Sequence, residues 1–145
     1  MIEKLFLDTN VVIDLLGERA TFYVSAAKIA TLADKGIVEI YVSALTYSTV
    51  YYILARFENP EIVKEKIGKL KVIAETCDLT DKIIDKGLLS KFSDYEDSLQ
   101  YYSAAEMNCN IIITRNGKDF KESDIPVMTP DEYLNSLKTT KNYTK

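Results

Sequence analysis

The sequence predicts an α/β domain, a three-layer α/β/α sandwich around a central, mostly parallel sheet. Three observations carry this. Short apolar or β-branched runs at 2–8, 38–44, 71–77, 109–115 and 125–129 alternate with longer segments of helical character, a pattern that places parallel strands in one sheet with helices on both faces. The first run and "NIIIT" are apolar nearly throughout, as strands buried on both sides are. With 145 residues, the chain is long enough for one domain with a real core.

Residues 2–8 form the first strand. A short helix follows over 10–16, with Val11, Val12, Leu15 and Leu16 as its apolar face and Thr9 or Asn10 as its cap. Residues 20–35 carry apolar positions at Ala20, Val24, Ala27, Ile29, Ala30 and Ala33 and stop at Gly36, which suits a helix C-terminus. "VEIYVSA" is the second strand. "LTYSTVYYILARF", 45–57, is rich in β-branched and aromatic residues but long for a strand, and Thr46 can cap it, so it reads as a helix. Asn59-Pro60 breaks it, and Pro60 opens an amphipathic helix. "KVIAETC" is the third strand, Thr80 caps a helix over 79–91, and another helix covers 94–108. "CNIIITR" is a buried strand, "IPVMT" a short last one, and "PDEYLNSL" a terminal helix. A single domain therefore spans 1–138, with a polar, disordered tail over 139–145.

Composition narrows the chemistry. The chain has no histidine, which excludes Ser-His-Asp and Cys-His catalysis and the usual zinc sites. Cys77 and Cys109 lack metal-ligand spacing and read as buried thiols. Net charge is −4, so there is no global attraction to nucleic acid. The 22 acidic residues instead favour hard cations, which supply local positive charge. No apolar run reaches the roughly 18 residues of a membrane span, and the N-terminus does not look like a secretory signal. The expected location is the cytoplasm, away from membranes.

Ligands of such sheets bind beyond the carboxyl ends of the strands. There stand Asp8 with Asn10, Ser43 with Thr46, and Thr114 with Asn116 and Asp119. Asp94 and Asp97 lie three apart at a helix start and can share a face. Taken singly, each is an ordinary turn or cap residue, and Glu96, Asp14, Asp34 and Asp85 read as solvated or capping. Carboxylates gathered on one edge raise each other's pKa unless a cation joins them. Mg²⁺ or Mn²⁺ is the economical cation, and so held it can activate water against a phosphodiester.

"LFLDTNVVIDLL", "YVSALTYSTVYYIL", "DYEDSLQYYSAAEMNCNIIITRNGKDF" and "VMTPDEYL" resemble the PIN (PilT N-terminus) domain, in particular the small group related to VapC-like toxins. The resemblance covers nearly the whole chain in order. It implies an α/β/α homodimer and a Mg²⁺/Mn²⁺-dependent ribonuclease, often the toxin partner of an antitoxin protein. It maps Asp8, Asp97 and Asp119 onto the family's catalytic, metal-binding acids, with Asp94 as a helper ligand. Asn10 and Thr114 match polar residues that orient the acids, and Ser43, a supporting polar residue, matches the serine at the end of the second strand. Two positions depart: Thr49, with Ser48 beside it, stands where these toxins commonly carry Glu, and Asn116 where Asp is common. Both then count as supporting polar residues, and Arg115 and Lys118 as contacts to RNA phosphate. Two readings compete with the nuclease: a PIN-like RNA- or protein-binding domain with weakened catalysis, and another acidic-pocket α/β protein. Asn10 disfavours an Asp-nucleophile phosphatase, which wants Asp there. Tyr47, Tyr51, Tyr52 and Phe57 read as packing residues, and this helix or the following one is expected to help form the dimer.

Overall fold

A computed structural model describes residues 1–143. Its five strands are β1 (Glu3–Leu7), β2 (Val38–Ser43), β3 (Ala74–Cys77), β4 (Ile111–Ile113) and β5 (Val127–Met128). They form one sheet in the order β3-β2-β1-β4-β5, and every pairing is parallel. The helices are α1 (Thr9–Leu16), α2 (Tyr23–Asp34), α3 (Ala44–Leu54), α4 (Pro60–Ile73), α5 (Asp81–Leu88), α6 (Tyr95–Glu106) and α7 (Pro130–Tyr143), and Gly117–Phe120 makes one 3₁₀ turn.

Side-chain alternation in the strands sorts the helices into two layers. Leu5 and Leu7 of β1, with Ile111 and Ile113 of β4, face one core with Val11, Val12, Ile29, Val50, Val63, Leu70 and Tyr133. That core packs α1, α2, α3, α4 and α7 against one sheet face. Phe6 and Ile112 point the other way, onto Tyr101 and Ala104 of α6 and onto Phe120. Register makes this consistent, because Phe6 stands beside both Tyr41 and Ile112. Leu5 and Phe6 are fully buried, each contributing about 1.5–3 kcal/mol of apolar burial.

The chain order creates the crevice. From central β1 it moves outward through β2 to β3, then crosses to β4 on the other side of β1 and out to β5. The gap between the carboxyl ends of β1 and β4 is the switch point at which such sheets bind ligands.

Several expected boundaries move. The helix opened by Pro60 continues through Ile73, so the third strand is only Ala74–Cys77. Nothing in "KVI" breaks a helix, and Val63, Ile67 and Leu70 keep helical spacing on the core side while Val72 is exposed. Asp8, not Thr9 or Asn10, caps α1, and its side chain accepts from the Thr9 N–H. Ser43 rather than Thr46 caps α3. Thr80, Asn59 and Pro60 act as expected, and Gly36 follows α2 with φ +74. The last helix, expected to end near Leu137, stays helical to Tyr143, and Thr144 and Lys145 of the expected 139–145 tail lie outside the described residues. Cys77 and Cys109 are free and buried, which pushes each thiol up to about 12. No helix among the described residues is long and apolar enough to cross a membrane.

Candidate metal centre

Asp8 ends β1 at the switch point and is 6 % exposed. Its backbone N–H donates to the Ile113 carbonyl at 2.9 Å, which carries the β1–β4 pairing one residue beyond the strands. One carboxylate oxygen takes the Thr9 N–H at 2.8 Å. The other accepts from the Thr114 hydroxyl at 2.8 Å and the Asn10 amide at 3.2 Å. The Asn10 amide also reaches Thr114 Oγ1 at 3.3 Å, and its oxygen accepts the Arg115 N–H at 3.3 Å. Thr114 in turn takes the Asn116 N–H at 3.1 Å. Burial raises the Asp8 pKa above its ordinary value, and the nearby Asp119 charge adds to this; the bonds from Thr114 and Thr9 oppose it.

Asp97 sits in the first turn of α6. Asp94 is the cap just before it, accepting the Asp97 N–H at 3.0 Å, so it borders the site from outside the helix rather than sharing a helical face. Burial pushes the Asp97 carboxyl up to about 7, and the charges of Asp8, Asp94, Asp119 and Glu96 push the same way. Asp119 is exposed on the 3₁₀ turn after β4, its N–H donating to the Asn116 carbonyl at 3.0 Å. The acids thus face one another electrostatically across the switch point. Among the described residues no three carboxylates close into a ready chelate. Asp8, Asp97 and Asp119 are the carboxylates that could hold a hard cation there, with water completing its coordination.

Ser43 and Thr49 do not join the acids. The Ser43 hydroxyl accepts the Leu45 N–H at 3.1 Å, and the Thr49 hydroxyl donates to the Leu45 carbonyl at 3.2 Å. A threonine hydroxyl is too short to leave its own helical turn, where a longer acid would reach outward. Lys118 is exposed beside Asp119.

Glu96 is exposed in the first turn of α6, as its reading as a solvated residue expects; partial burial of its carboxyl raises its pKa, and the Asp94 and Asp8 charges raise it further. Two buried residues with roles here, Asp14 and Gln100, escape the sequence reading. Asp14 is 1 % exposed, a correction to its reading as solvated, and accepts Arg115 Nε at 2.6 Å. Gln100, 1 % exposed, donates to Thr9 Oγ1 at 2.7 Å and to Thr46 Oγ1 at 2.9 Å, and the two threonine hydroxyls bond each other at 2.9 Å. Gln100 Oε1 is buried without a partner. Spacing offered hints: Asp14 lies one turn after Asn10, and Gln100 one turn after Asp97.

With this geometry in place, comparison with known proteins decides the family. The PIN domain profile matches residues 4–118. The chain belongs to the PIN domain family. A relative named ribonuclease VapC1, from Aquifex aeolicus, is 33 % identical over 144 residues, covering 94 % of this chain and 97 % of the relative. Among solved structures, VapBC2 from Rickettsia felis, bound to a DNA fragment from its promoter, superposes with a TM-score of 0.67. It is 17 % identical and the match covers 87 % of this chain and 98 % of that one. VapC20 of Mycobacterium tuberculosis, described as a toxin cleaving the sarcin-ricin loop, gives a TM-score of 0.60 at 11 % identity, over 74 % and 86 % of the two chains. These structures share the α/β/α fold described above.

Proposed function

We propose that this PIN domain is a metal-dependent endoribonuclease and the toxin of a toxin–antitoxin pair. The observation that carries the reading is the gathering of acids at the switch point, where Asp119 raises the Asp8 carboxyl and both raise that of Asp97, in a chain nearly co-extensive with a relative named a ribonuclease. Asp8, Asp97 and Asp119 would hold Mg²⁺ or Mn²⁺ directly or through water, with Asp94 as a helper. Bound there, the ion supplies Lewis acidity toward a phosphoryl oxygen and lowers the pKa of water. Thr114 and Asn10 hold the Asp8 carboxylate in one orientation. One carboxylate of the group takes the proton of the attacking water.

The partner and cellular setting follow from the same reading. Solved relatives include a toxin–antitoxin complex from Klebsiella pneumoniae, and an apolar cleft of about 250 Å³ lined by Leu15, Leu16, Tyr23, Leu70 and Ile73 offers an antitoxin protein a surface to cover. The protein acts as a homodimer in the cytoplasm.

Incubation of purified protein with structured RNA and Mn²⁺ tests the activity. Cleavage is expected, and its persistence in Asp8→Asn/Asp97→Asn would assign it to a contaminant. A binding domain with lost catalysis is favoured by one observation, the Thr49 hydroxyl spent on its own helix. Calorimetry separates the two, because a Mn²⁺ heat that vanishes in Asp8→Ala belongs to a working site.

A further inference from the structure

Beside the acids lies a cleft of about 170 Å³ whose walls include Phe22, Ser25, Arg115, Thr129 and Asp131. It opens where the chain leaves β4 and β5, so it shares the carboxyl edge of the sheet with Asp8. Arg115 follows Thr114 directly, and Thr114 holds Asp8.

The arginine is held in a fixed pose. Its Nε donates to Asp14 at 2.6 Å and its Nη2 at 3.4 Å, and its guanidinium carbon lies 4.2 Å from the centre of the Phe22 ring. Arg19 also approaches Asp14, at 4.0 Å, so two cations share one buried carboxylate. A buried ion pair gives little net stability over an apolar pair of the same shape. What it does give here is a preorganised guanidinium with donors left over, beside a phenyl ring that is 41 % exposed. Across the cleft Asp131 accepts from the Ser25 hydroxyl and keeps its second oxygen for another donor.

A cation, a flat exposed ring and a hydrogen-bond acceptor in one small cleft are the three contacts that single-stranded RNA offers partners for: phosphate, base face and base edge. Resting on the ribonuclease reading of the adjoining acids, we infer that this cleft is a subsite for one nucleotide of single-stranded RNA next to the scissile phosphate. The base stacks on the face of Phe22 that the Arg115 guanidinium leaves uncovered, its amino edge donates to Asp131, and its phosphate meets Arg115. Asp131 repels a phosphate on its side, which sets the direction of the strand.

The test is fluorescence anisotropy with an end-labelled hexaribonucleotide of mixed sequence, in EDTA so that binding is read without cleavage. Phe22→Ser should weaken binding about tenfold, and Phe22→Tyr should restore it. Arg115→Met alone strands Asp14 and endangers the fold, so it is paired with Asp14→Leu. That double variant should lower the salt dependence of binding by about one phosphate contact. Hexamer affinity within twofold of wild type in Phe22→Ser, at an unchanged melting temperature, overturns the subsite. If cleavage then continues with unchanged KM, the nuclease reading stands without it. If Phe22 governs binding but no metal supports cleavage, the subsite stands and the nuclease reading falls.

Discussion

The Thr114 hydroxyl donates to Asp8 Oδ2 at 2.8 Å, joining the residue after β4 to the residue after β1. Both side chains are buried, so the bond is made away from water and fixes the carboxylate in one pose. Thr114→Val keeps the shape and removes the donor. It should lower Mn²⁺ affinity or kcat by roughly 10- to 100-fold, as loss of a supporting bond to a ligand does. Thr114→Ser should retain most of both, measured by calorimetry and by steady-state RNA cleavage.

Asp97 makes stability depend on pH in a definite direction. Its folded-state pKa of about 7 lies above the ordinary 3.8. Between those values the folded chain keeps a proton that the unfolded chain has lost, so the metal-free protein loses stability as pH rises through that window and levels off above about 7. Urea melts in EDTA from about pH 5 to about pH 8 should show the decline, and Asp97→Asn should flatten it. Metal binding runs the opposite way, because the ion competes with that proton. Mn²⁺ affinity should rise with pH and level off above about 7.

The Asp14–Arg115 pair predicts a large but separable stability effect. Asp14 is 1 % exposed, so Arg115→Met leaves a buried carboxylate with only the more distant Arg19. The cost should be about 3 kcal/mol or more in urea melts, and Asp14→Leu added to it should recover much of the loss.

Gln100 ties α6, which carries Asp97, to Thr9 beside Asp8 and to Thr46 on α3. Gln100→Met fills the space without the bonds. It should loosen the approach of the two acids and weaken Mn²⁺ binding about tenfold. Thr9→Val should do the same and Thr9→Ser should not, with melting curves as the control for folding.

Much of this was legible in the sequence, for identifiable reasons. β1 and β4 announce themselves because strands buried on both faces must be apolar throughout, and Asp8 stands out because it ends one of them. Helix ends were legible where a single residue enforces them, as at Pro60 and Thr80. The α4–β3 junction was not, since no residue between Lys71 and Ala74 forbids either state and only packing of Leu70 and Val63 decides it. Asp14 and Gln100 were illegible for a related reason. Their roles depend on partners such as Arg115 and Thr9, distant in sequence and brought close only by the fold. Thr49 shows the converse, since its position in the chain suggested the site while its short side chain bonds its own helix.

The most direct test of the central claim is anomalous diffraction at the manganese edge from crystals soaked in Mn²⁺. The proposal predicts a peak at the carboxyl ends of β1 and β4, within bonding distance of Asp8 and Asp97 carboxylate oxygens and lost in Asp8→Asn crystals. A fully soaked crystal with no peak there, or with its peak away from both residues, would contradict it.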